Sequence, residues 1–353
     1  MYNAVKYVNG WFLPVKIFYM KGFFIMKKIL AFILVMIMSV STVAFAADFV
    51  DMPEDGHWSK SAIENAVKNG LLTGNGGYVF PENNMTRAEM ATIMVRACGA
   101  IENADISAFT DVSIDDWYYS SMSKAVAMGA FTGSDNKLNP ENYITRQEAF
   151  VVLSRVFGLE NARVVDTSVL DAFLDKDKVA DWAKKGVAAI IQNGYVGGAA
   201  GKINPTANIT RAEFAVVMDR LVKYYIDDAE TTEIPVDGNV MIRVGGLRLD
   251  RVATDKMVVI GDGVGDSQMV LSNANIEGVL VVRGAEKVSI DGAFADIRII
   301  VPNLVVEGNP KNVKRVYVCE GSTYSMGNIM LGEADEKDVT EGTVLDAVDK
   351  ITE

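Results

Sequence analysis

Along residues 58–226 the apolar positions fall into short helical periods that come three times over. Ala62, Ile63, Ala66 and Val67 share one face of a helix, and Gly70 stands where a helix would end in a left-handed C′ residue. Met90, Ile93, Met94 and Ala97 mark the apolar face of a second helix, and Phe214, Val217, Met218 and Leu221 repeat that face further on. Ahead of the second helix, Thr86 and Glu89 have the spacing of a capping box. The Thr hydroxyl accepts from the N3 amide, and the Glu carboxylate accepts from the N-cap amide. From residue 239 the period shortens. Runs such as "VMIRVGG", "KMVVIGDG", "QMVLSN", "GVLVVRG", "KVSIDG" and "DIRIIV" alternate with Gly and Asn, which predicts a β-solenoid or another small all-β domain.

The helical units keep one register. With Trp58, Trp117 and Trp182 as origins, the same offsets reach Gly70, Gly129 and Gly194, then Gly74, Gly133 and Gly198, then Pro81, Pro140 and Pro205. Thr86, Thr145 and Thr210 follow, next Arg87, Arg146 and Arg211, and finally Glu89, Glu148 and Glu213. Ahead of each Trp stands a Phe-x-Asp that ends in Asp51, Asp111 or Asp175. A single helix-loop-helix unit cannot bury both its faces, so the three copies must pack on one another.

Phe-x-Asp, Trp, Gly, Gly, Pro and Thr-Arg-x-Glu in this order, three times over, closely resemble the S-layer homology (SLH) domain. The resemblance covers residues 48 to about 226 and implies a mostly helical, pseudo-threefold body with clefts between neighbouring repeats. It also implies a partner: a secondary cell-wall polysaccharide, often pyruvylated, of a Gram-positive-type bacterium. Two positions depart from the pattern. Gln147 replaces the Ala88 and Ala212 of the other copies, a surface position expected to matter little. Gly197 replaces Thr73 and Thr132, which predicts a looser third site.

The arginines pose the sharpest question. A cation in the first helical turn opposes the macrodipole, at a cost of a few tenths to about 1 kcal/mol. It becomes favourable if an anion docks there, where helix N–H groups and the guanidinium converge on one charge. The competing reading is an ion pair with a carboxylate of the same or a neighbouring repeat, such as the Phe-x-Asp side chain. Trp58, Trp117 and Trp182 are either core side chains or flat platforms for sugar rings, and the resemblance places them in the ligand region. Gly74, Gly133 and Gly198 are expected to take positive φ in the loops and to allow close approach of a sugar. With Asp51, Asp111 and Asp175, these residues make up the candidate polysaccharide site.

Composition narrows the remaining choices. The net charge of −12 argues against nucleic acid or an anionic membrane surface as partner. Two distant cysteines, Cys98 and Cys319, and one histidine point to no zinc site, disulfide framework or Ser-His-Asp triad, and no cofactor is expected. Both cysteines are read as buried apolar thiols. "GDGVGD" (261–266) reads as a β-turn rather than a phosphate loop or a calcium turn. Residues 26–47, with Lys27 and Lys28, the apolar Ile29 to Val40 and an Ala44-Phe45-Ala46 cleavage signal, have the form of a signal peptide. Residues 1–25 are then expected to precede the true start.

The predicted organisation is multidomain. Signal peptide is followed by SLH repeats at 48–104, 105–168 and 169–226, a linker at 227–238, a β-rich domain at 239–330 and an acidic tail at 331–353. The expected function is that of a non-catalytic surface protein anchored without a covalent bond to wall polysaccharide. An SLH-anchored enzyme acting on wall glycans and a small S-layer structural protein are the alternatives.

Overall fold

In the computed structural model, residues 49–161, 165–319, 321–326, 329–331 and 343–345 are described. Residues 1–25, the predicted signal peptide and most of the acidic tail lie outside them. The helical half contains six α-helices: α1 (Lys60–Lys68), α2 (Arg87–Cys98), α3 (Tyr119–Ala127), α4 (Arg146–Val156), α5 (Lys184–Gln192) and α6 (Arg211–Leu221). The predicted capping boxes are present at Thr86/Glu89, Thr145/Glu148 and Thr210/Glu213. Gly70, Gly129 and Gly194 take φ of 69°, 72° and 76° after the first helix of each repeat.

The repeats close into a ring. The Met85 amide donates to the Ile209 carbonyl, the Ile209 amide to Ile144, and the Ile144 amide back to Met85, at 2.9–3.1 Å. These three side chains are fully buried, so the cyclic hydrogen bonds sit in dry surroundings where an unpaired amide would be costly. Around them α2 packs on α3, α4 on α5 and α6 on α1. Each second helix thus buries its apolar face against the first helix of the next repeat, as the incomplete burial of one unit requires.

The strand-rich half is a parallel β-solenoid. Along one face, β2 (Val240–Ile242), β5 (Met257–Ile260), the end of β6 (Gln268–Val282), the end of β7 (Lys287–Ile299) and β9 (Arg315–Val318) stack in register. Val240, Val258, Leu280, Ile297 and Val316 form one inward column of this face, all fully buried. β3 (Arg248–Asp250), the start of β6, the start of β7 and β8 (Val305–Lys311) stack beside them, while β4 (Ala253–Thr254) pairs with the middle of β6. β10 (Thr323–Met326) continues on β8, and β11 (Ile329–Leu331) and β12 (Thr343–Leu345) add antiparallel pairs. Within the acidic tail, residues 343–345 thus form a strand.

The third repeat ends in a strand, β1 (Tyr224–Ile226), that pairs in parallel with β2 and starts the solenoid ahead of the stretch read as a linker. Two expectations are corrected here. The "GDGVGD" segment is a short 3-10 turn over Asp262–Val264, and Asp262 faces Arg283 rather than solvent. Cys98 is buried, and burial pushes its thiol up to about 12, but Cys319 is only half-buried.

The two halves share a core. Met241, Val259 and Val281 point outward from the solenoid into the apolar cluster of the helices. Polar groups complete the junction at the C-terminal ends of the helices, where carbonyls lack intrahelical partners. Arg243 donates to the carbonyls of Asn69 and Arg96 in the first repeat, and Arg283 to those of Met128 and Val156 in the second. Asn239 serves the third through Leu221. Cations here also complement the macrodipole. The Arg283 side chain is 1% exposed and pairs with Asp262 at 2.7 Å. We expect Arg283→Met to destabilise the protein by about 3–5 kcal/mol, because it strands a carboxylate and two carbonyls. Urea titration checks this, and a loss below about 1 kcal/mol would mean that the apolar contact alone holds the halves together.

Candidate functional site

Each cleft starts from a loop held by the Phe-x-Asp carboxylate. Asp51 accepts from the amides of Val79 and Phe80, Asp111 from Leu138 and Asn139, and Asp175 from Ile203 and Asn204, all at 2.7–3.0 Å. The Asp residues therefore fix backbone and do not touch the arginines directly. The loop carbonyl next to the clamp does. Arg211 Nε donates to Val79, Arg87 Nε to Leu138 and Arg146 Nε to Ile203, at 2.8–2.9 Å.

The same guanidiniums pair with the capping glutamates of a different repeat. Arg87 meets Glu148 at 3.2 Å, Arg146 meets Glu213 at 2.7 Å and Arg211 meets Glu89 at 3.4 Å. Arg211 also donates to the Thr73 carbonyl at 3.1 Å. Burial lowers the pKa of Arg87 and Arg211, and the facing glutamates counter it in part. The helix amides are engaged as well. Those of Arg87 and Ala88 donate to Asn142 and Pro140, those of Arg146 and Gln147 to Ala207 and Pro205, and those of Arg211 and Ala212 to Asn83 and Pro81. The expected convergence of free helix N–H groups on an external anion is thus replaced by contacts between repeats. The cation at the positive helix end is offset by a carboxylate and a carbonyl of the neighbouring copy.

The tryptophans stand out in the other direction. Trp58, Trp117 and Trp182 are 58%, 68% and 59% exposed, so the reading of them as core is overturned. Trp117 joins Thr73, Gly74, Glu89, Arg96 and Arg211 in lining a cleft of about 510 Å³ to which all three repeats contribute. Gly133 and Gly198 take positive φ as expected, at 69° and 72°, but Gly74 does not. There a Cβ would strike the Phe49 ring and the Tyr78 carbonyl, so lack of space is what requires glycine. Gln147 is buried rather than a surface position, and its Oε1 accepts from the Ala180 amide at 3.0 Å, tying α4 to the segment before Trp182.

Arg96 escaped the sequence reading. It donates to the Leu71 carbonyl at 3.1 Å and to Thr73 Oγ1 at 3.4 Å on the cleft wall. Arg155 and Arg220 stand in register with it, and that periodicity was the available signal.

A repeat of this geometry has a name. The family model for the S-layer homology domain matches residues 48–91, 108–150 and 172–215, and the chain is an S-layer homology domain protein, exported and located at the cell surface. It is 34% identical over 191 residues to the surface-layer 125 kDa protein of Lysinibacillus sphaericus, covering 52% of this chain and 16% of that one. It is 30% identical over 175 residues to a cellulosome-anchoring protein of Acetivibrio thermocellus, covering 46% and 38%. An amylopullulanase of Thermoanaerobacterium thermosulfurigenes is 26% identical over 169 residues, covering 47% and 9%, so the module also occurs in enzymes. The chain spans well under half the length of each of these relatives. Among the described residues, no helix is long and apolar enough to cross a membrane.

Asp175 offers a test of the loop clamp. Burial raises its pKa, but the amide hydrogen bonds from Ile203 and Asn204 outweigh this and leave it below the ordinary carboxylate value. Such a group contributes stability above its unfolded pKa of about 3.9 and loses it as pH falls through the folded value. We expect Asp175→Asn to cost roughly 1–2 kcal/mol at pH 7 and to flatten the decline in stability below about pH 4. Denaturation at stepped pH measures both effects, and an unchanged acid limb would show that the clamp contributes nothing.

Proposed function

We propose that the SLH triplet attaches this protein, without a covalent bond, to a secondary cell-wall polysaccharide, and that the protein is a non-catalytic anchor carrying its solenoid. The observation that carries this reading is the exposure of Trp58, Trp117 and Trp182 on a body whose core is otherwise well buried. An indole face exposed to water is a platform for the apolar face of a sugar ring, and its N–H remains available to a ring hydroxyl. The polar cleft beside Trp117 supplies the rest, with Arg96 and Arg211 placed to meet an anionic substituent such as a pyruvyl carboxylate. The relatives named for surface layers and for anchoring support the same direction.

Weak sites on one rigid body reinforce each other by effective concentration, so loss of one cleft should weaken attachment without abolishing it. The arginines also hold the repeats together, which makes the exposed tryptophans the cleaner target. We expect the triple variant Trp58→Ala, Trp117→Ala, Trp182→Ala to lose at least about tenfold in retention on purified wall sacculi while Tm moves by less than about 2 °C. Wild-type binding should fall in the same way on sacculi stripped of polysaccharide or of its pyruvyl groups. Undiminished binding to stripped sacculi would sink the proposal.

A further inference from the structure

The loop of the first repeat carries a side chain that its backbone disfavours. Phe80 has φ of 53°, in the left-handed region where a bulky residue is a genuine outlier. Its counterparts, Asn139 and Asn204, have φ of 50° and 53°, and asparagine tolerates that conformation. The backbone is held alike in all three copies. The amide at this position donates to the Phe-x-Asp carboxylate, and its carbonyl accepts from an amide three residues on, that of Asn83, Asn142 or Ala207. The strain therefore comes from the choice of side chain alone.

Burial does not repay that choice, because Phe80 remains 37% exposed. Its ring stacks on the exposed Tyr78, with centroids 5.7 Å apart and planes at 26°. Tyr78 is itself a departure, standing where the other copies have Lys137 and Lys202. One loop thus presents two stacked aromatic rings where the other two present a lysine and an asparagine. Phe80 lines the same cleft as Trp117. Strain retained at a ligand-facing position, where a strain-free residue is used twice in the same chain, is the mark of a functional constraint.

We infer that Phe80 and Trp117 make the first cleft an aromatic clamp for the apolar face of a pyranose ring, a contact that the asparagines of the other two loops do not offer. The inference rests on the reading of the triplet as a polysaccharide anchor. The rest of the lining joins the two rings to groups for the sugar's hydroxyls and, in Arg96 and Arg211, to cations for an anionic substituent. Thr73, Asn75 and Thr92 border the first cleft and offer hydroxyl and amide groups to the ring's own hydroxyls. Their counterparts in the third repeat, Gly197, Ala199 and Val216, offer none from their side chains. Lys137 and Lys202 leave the other loops suited to charged substituents.

The test uses Phe80→Asn in the full chain, with thermal unfolding and retention on polysaccharide-bearing sacculi measured side by side. Relief of the left-handed strain should raise Tm by about 2–4 °C, while loss of the stacking ring should weaken retention roughly three- to tenfold. Opposite signs for stability and binding are the signature of a functional residue. Combined with Trp117→Ala the two losses should overlap, whereas with Trp182→Ala they should multiply, since that residue lies outside this cleft. Unchanged retention in Phe80→Asn, or a fall in Tm, would overturn the inference, the second because it makes the ring structural. Failure of the wild-type protein to bind sacculi would instead overturn the anchoring proposal beneath it. Wild-type binding that weakens in Trp182→Ala but not in Phe80→Asn would remove the clamp alone.

Discussion

The cyclic contact between repeats is what the rest of the molecule depends on. Three backbone hydrogen bonds join Met85, Ile209 and Ile144 in a closed circuit, and outside it each of Arg87, Arg146 and Arg211 reaches a loop carbonyl and a capping glutamate of a neighbouring copy. A helix start leaves amides unsatisfied, and here the neighbouring loop takes them up. The unfavourable placement of a cation at a positive helix end becomes a device for assembly. Its partners are carbonyl and carboxylate oxygens that exist only when the next repeat is docked.

Closing the ring in this way also builds the clefts. A loop held by Asp51 supplies one wall, Arg211 crosses from the third repeat, and Trp117 arrives from the second. No single repeat contains a complete site. The residues that hold the body together and those left exposed are neighbours: the TRxE arginines are largely engaged, whereas the tryptophans are exposed and carry no comparable structural task.

Much of this was legible in the sequence because it repeats. Helix faces, capping boxes and C′ glycines all follow from spacing and local chemistry. The partner of each arginine was not legible, since it lies far along the chain: Arg87 and Glu148 are brought together only by ring closure. The tryptophans were ambiguous because a large apolar ring reads equally as core or platform until its exposure is known. Gly74, Gly133 and Gly198 share one reason for glycine, a Phe ring and a loop carbonyl where a Cβ would stand, and only the last two add a left-handed backbone, which identity alone does not reveal. The strand β1 at the end of the third repeat was not legible, because its pairing partner, β2, begins only at Val240, beyond the stretch read as a linker.

The junction at the helix C-termini has a mechanical meaning. Arg243, Arg283 and Asn239 each grip a different repeat at the end of its helices, and Arg96, whose carbonyl Arg243 holds, also lines the first cleft. A pull on the solenoid is therefore shared among three repeats at once. In the anchor proposed above, this arrangement would resist peeling, because no repeat would come away before its two neighbours took up the strain.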